Sequence, residues 1–95
     1  MKAVDINQNT FWYDGNNVTS LDMGDGKHIR FTAVDKNYTL AVTLPDKSKV
    51  NFNVPDDKDY HEYEIKGKKN DIYTFDIVSS SGPGGTVPQM IVRVS

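Results

Sequence analysis

The chain has 95 residues, 37% of them hydrophobic, with 11 basic side chains against 13 acidic ones and no cysteine. A chain this short folds as one domain, residues 1–95, and buries only about 60 to 65% of the surface its unfolded form exposes, so one thin core must stabilise it without disulfides. The missing thiols exclude cysteine nucleophiles, zinc–cysteine centres and iron–sulfur clusters, and a formal charge of −2 argues against a general phosphate-backbone binder.

The first seven residues hold no apolar run of leader length, and no segment approaches the roughly 20 apolar residues of a spanning helix. A soluble chain without membrane insertion is expected. From there the hydrophobic period is two. Phe11-Trp12-Tyr13 and Val18-Thr19-Ser20-Leu21 are short strand candidates, and Asp22-Met23-Gly24-Asp25-Gly26 is a glycine-permitted bend. Ile29, Phe31 and Ala33 then alternate with polar neighbours, Leu40, Val42 and Leu44 with Thr39, Ala41 and Thr43, and next Val50, Phe52 and Val54 with Lys49, Asn51 and Asn53. Each reads as a half-buried strand. Pro45-Asp46-Lys47-Ser48 supplies a type I turn that makes the last two a hairpin.

Pro55-Asp56-Asp57-Lys58-Asp59 suits a loop crossing between sheets. Beyond it, Tyr63 and Ile65, then Tyr73, Phe75 and Ile77, and finally Met90, Val92 and Val94 continue the alternation. The links at 35–37 and 67–70 are short, which points to antiparallel neighbours, because a parallel crossover needs a dozen or more residues. The fold class is therefore all-β: an antiparallel β-sandwich of immunoglobulin-like type with about seven or eight short strands. A small closed barrel satisfies the same periodicity. Phe31, Leu40, Val42, Phe52, Phe75, Ile77 and Val92 should share one core.

Few residues offer chemistry. His28 and His61 lie in different strands, and no serine sits in a Gly-x-Ser-x-Gly setting. The acidic groups Asp22, Asp25, Asp56, Asp57 and Asp59 read as solvated turns, and Glu62 and Glu64 as one exposed strand face. No catalytic residue, metal or cofactor is expected, and the chain reads as a non-enzyme. Aromatic side chains carry more promise. If Phe11 and Tyr13 enter the core, Trp12 stands outside it as a stacking or anchoring ring; if Trp12 is the core residue, that role disappears. Tyr60, with the outward parity of Glu62 and Glu64, is the second such ring. The loop at 79–88, with Gly82, Pro83, Gly84 and Gly85 at its centre, has the composition of an adaptable contact loop.

The succession of short strands, with Tyr73-Thr74-Phe75-Asp76-Ile77 late in the chain, resembles immunoglobulin-like modules. Leu44-Pro45-Asp46-Lys47-Ser48-Lys49-Val50 also resembles the Pro-Asp turn joining two core strands in small β-sandwich domains of baseplate and tail proteins from phages of Gram-positive hosts. This second resemblance implies a virion or extracellular surface-assembly component rather than a cytosolic enzyme. The unpaired edges of a small sandwich point to another protein or a second copy of the chain as its partner, held at an exposed strand edge or at the loop 79–88. The alternative is a carbohydrate-binding module that stacks a glycan on Trp12 and Tyr60. The terminal segment 89–95, with Arg93 as its one charge, is an exposed edge if it lies outermost; if it is central, the strand at Val18 to Leu21 becomes the candidate.

Overall fold

The computed structural model describes residues 1–57, 59–78 and 87–95. Within them the chain forms ten strands: β1 (Lys2–Asn7), β2 (Thr10–Tyr13), β3 (Asn16–Asn17), β4 (Ser20–Met23), β5 (His28–Ala33), β6 (Tyr38–Thr43), β7 (Lys49–Val54), β8 (His61–Glu64), β9 (Ile72–Ile77) and β10 (Gln89–Val94). The first sheet has the order β3-β2-β1-β5-β8 and the second β4-β10-β9-β6-β7. Both contribute to one apolar core, in the manner of a sandwich.

The two strands beyond those expected, β1 and β3, both come from the N-terminal segment. In β1, Val4 and Ile6 point inward while Ala3 and Asp5 are exposed, a period of two that the sequence reading left out. The chain then doubles back twice through two-residue turns, in which Gln8 and Asn9, and next Asp14 and Gly15, all have positive φ. Positive φ at both turn positions matches the twist of the flanking strands. Asp-Gly is the strongest short hairpin signal a sequence can carry, and Asp14-Gly15 marks the β2–β3 turn. The expected β6–β7 hairpin is present in full register from Tyr38↔Val54 to Thr43↔Lys49. Pro45 and Asp46 occupy its tight turn, closed by the Lys47 N–H donating to the Leu44 carbonyl at 2.9 Å, and Lys47 itself has φ 76°.

Antiparallel pairing does not hold throughout. β1 runs parallel to β5 (Val4↔Phe31), and β10 runs parallel to β4 (Val92↔Leu21). The rule that short links join antiparallel neighbours applies only when both strands stay in one sheet. Residues 34–37 instead carry the chain from β5 in the first sheet to β6 in the second, and residues 65–71 carry it from β8 to β9 in the same direction. Side chains hold both crossings. Asp35 accepts the Gln8 N–H at 3.1 Å and the Tyr38 hydroxyl at 2.7 Å, and that hydroxyl accepts the Asn9 N–H. The Tyr73 hydroxyl donates to the Lys66 carbonyl at 2.7 Å and accepts the Lys66 N–H. The expected crossing at 55–59 does join the two sheets, from β7 to β8.

Phe31 lies at the centre of the core, with ring centroids 5.2 Å from Phe75, 5.9 Å from Phe52 and 6.3 Å from Phe11. Of the seven expected core residues six are fully buried, and Phe52 is partly buried against the others. The reason is its strand: β7 is outermost in the second sheet, so Phe52 is covered by neighbours on one side only.

Candidate functional site

Two surfaces stand out, and the rings singled out from sequence, Trp12 and Tyr60, both lie on the first. The first is the outer face of the first sheet. Phe11 takes the inward place on β2, so Trp12 stands on the outer face, half-buried, with its indole N–H donating to the Asn7 carbonyl at 2.9 Å. Register then defines a row across the face: Asn17, Trp12, Asp5 and Thr32 are successive partners on β3, β2, β1 and β5. Tyr60 immediately precedes β8, whose pairing runs His61↔Phe31 and Glu62↔Arg30, and so continues that row beyond Thr32. It is 48% exposed, and the Arg30 guanidinium lies 4.2 Å from its ring centroid. Trp12 and Tyr60 are thus three strand spacings apart, about 14 Å.

Beside Tyr60 the face is charged. Glu62 lies at ion-pair distance from Arg30 (3.5 Å) and from His28 Nδ1 (3.2 Å). His61, on the same short strand, turns the other way and approaches Asp57 at 3.6 Å. The two histidines sit at opposite ends of the β5–β8 pairing, opposite Glu64 and Phe31. Among the described residues no three His, Asp or Glu side chains converge as a metal site.

The second surface is the side of the sandwich where β7 and β8, each the outermost strand of its sheet, lie over one another. Phe52 stacks on Tyr63 there with centroids 5.7 Å apart and planes inclined by 18°. The aromatic contact continues inward through Tyr63 to Phe75 and Tyr73. β7 is the longest of the four outermost strands, with six residues against four in β4, four in β8 and two in β3. It contains no proline, and Lys49 is its one charge. Val50 is 46% exposed.

The terminal segment does not supply an edge. β10 lies between β4 and β9, its residues Met90, Val92 and Val94 wholly inside the core, so strand addition there would require displacing β4. The strand at Val18 to Leu21, the alternative from sequence, corresponds to edge strand β4 beginning at Ser20, where Arg93 makes a two-pronged contact with Asp22 at 3.1 Å. Sequence reasoning passed over β7 as an edge. Its alternation identified a strand, but nothing local to it reports that only one neighbour is present. Gly82, Pro83, Gly84 and Gly85 lie outside the described residues.

A 270 Å³ cavity at one end of the sandwich is lined by Lys2, Tyr13, Asp22, Met23 and Lys27, among others. Three of these side chains are engaged: Lys2 lies 4.9 Å from the Tyr13 ring centroid and donates to its hydroxyl, and Asp22 holds Arg93. No helix among the described residues is long and apolar enough to cross a membrane. No family model matches the chain, and no curated protein matches it either.

Proposed function

We propose that this chain is a non-enzymatic, immunoglobulin-like module that takes part in protein assembly by strand addition at β7, in a phage baseplate or tail or a comparable surface assembly. The observation that carries the reading is the six-residue outer edge of β7, which has neither proline nor more than one charge to block it. On such an edge every second residue turns its N–H and C=O away from the sheet, where another strand can bond to them. The tyrosine near the start of the penultimate strand, with its hydroxyl bonded back to the backbone at Lys66, supports the immunoglobulin-like type.

A photo-crosslinking residue at Asn51, on the polar face of β7, tests the assembly reading in the native source. Crosslinks to another polypeptide are expected from this site and not from a matched probe at Ala3, on the outer face of the first sheet. Crosslinks from Ala3 alone would refute it.

A second reading, glycan binding, has its own support in the Trp12 to Tyr60 row, where two rings flank Asp5 and Thr32 on one face. Aromatic rings can stack on the apolar faces of sugars while the side chains between them bond to hydroxyls. Glycan-array binding that disappears in Trp12→Ala is its expected signature, and an array with no response removes it.

A further inference from the structure

We propose that β7 pairs antiparallel with β7 of a second copy of this chain about a two-fold axis, joining the two second sheets into one. This rests on the reading of β7 as the docking edge and names its occupant. Charge is the argument. Lys47 and Lys49 outnumber Asp46 at the start of the strand, and Asp56, Asp57 and Asp59 outnumber Lys58 in the sequence after its end. Neither Lys47 nor Lys49 has an ion-pair partner among the described residues.

An antiparallel two-fold sets the basic end of each strand against the acidic end of the other, so the complementarity is satisfied twice in one interface. Parallel pairing would set lysine against lysine. With the axis at residue 51, residues 49–53 of the two copies pair strand on strand, Val50 opposing Phe52 of the second copy and Lys49 its Asn53, and the lysine end of each strand lies beside the acidic segment that follows the other. The same register keeps Val50, Phe52 and Val54 on the inner side in both copies, because opposed residues in an antiparallel pair share a face. The exposed Val50 and half-buried Phe52 then gain apolar neighbours along the seam that Phe52 and Tyr63 begin. A strand edge of six residues makes a small interface, so the association is weak and reversible.

Sedimentation velocity over a concentration series, from about 10 µM to 1 mM at low salt, should show the wild type passing from monomer to dimer, with the dimer weakened at about 0.5 M salt. Lys47→Glu with Lys49→Glu should weaken association at least tenfold, and so should Asp57→Lys with Asp59→Lys, both checked for folding by circular dichroism. Mixing the two variants should restore a heterodimer, because each supplies the charge the other lacks. If a variant fails to fold, amide exchange of the wild type across the same series gives the second readout, with concentration-dependent protection expected in β7.

A monomeric wild type at every concentration overturns the inference. So does a dimer insensitive to salt and charge reversal, or protection confined to β4 or β8. If the wild type is monomeric while Asn51 crosslinks to an unlike polypeptide, self-pairing fails and the docking edge stands.

Discussion

Tyr38 and Asp35 show how two side chains determine where the chain changes sheets. The buried Tyr38 ring carries its hydroxyl to the tip of the β1–β2 hairpin, where it donates a hydrogen bond to Asp35 and accepts one from the Asn9 N–H. Burial and the bond to Asp35 push the Tyr38 hydroxyl up to about 12, while the same bond holds the Asp35 carboxyl below its usual value of 3.8. A raised tyrosine contributes stability that is complete below its unfolded value near 10 and is lost as pH rises toward 12; a lowered carboxyl contributes stability complete above 3.8 and lost as pH falls below it. Urea midpoints measured across pH should therefore fall at both ends. Tyr38→Phe should flatten part of the alkaline fall, leaving the part due to Tyr63, which burial also raises. At neutral pH that variant should lose about 1 to 2 kcal/mol, since it leaves the Asn9 N–H without an acceptor.

Turns that look alike in composition differ in what they tolerate at the level of the element. Gly15 completes the β2–β3 turn at φ 79° with open space around it, so Gly15→Ala meets backbone strain alone and should cost about 1 kcal/mol. Gly67, in the crossing between β8 and β9, has φ 151°, and a Cβ there would lie 2.6 Å from Asp71 Oδ2. That oxygen accepts the Lys68 N–H at 2.9 Å, and the Gly67 N–H itself donates to Asp25, so the neighbour cannot move aside without breaking a bond. Gly67→Ala should cost about 2 to 3 kcal/mol, clearly more than Gly15→Ala, in paired denaturation curves. Equal losses would show that the crossing relaxes freely.

Across the whole molecule one aromatic cluster ties the sheets together. Phe75 is fully buried between Phe31 and Tyr63, and Phe75→Ala should cost about 3 to 5 kcal/mol, a large share of the total stability of a domain this size. Phe52 belongs to the same cluster, but its strand is outermost. Phe52→Ala should cost about half as much in the monomer, because less of its surface leaves water on folding. Denaturation at low protein concentration, below any self-association, checks the difference. If the two losses match, Phe52 is more fully covered in solution than its place at the edge implies.

Alternation along single strands was legible in the sequence because side-chain direction in a strand depends only on position parity. Ile29, Phe31 and Ala33, or Tyr73, Phe75 and Ile77, could face the core in no other register. The β6–β7 hairpin was equally legible, since its turn chemistry is local. Strand neighbours were not. β1 meets β5 and β10 meets β4 through pairings of residues far apart in the chain, and no local pattern encodes them. Trp12 shows the same division: its parity opposes Phe11 in any register, but which of the two enters the core depends on the residues waiting across the sandwich. Edges are the most global property of all. β10 is apolar and lightly charged, and it is enclosed because it returns to lie between β4 and β9; β7 is outermost because no strand among the described residues comes back beside it. Tertiary structure alone decides where a sheet ends, because an edge is defined by the absence of a neighbour.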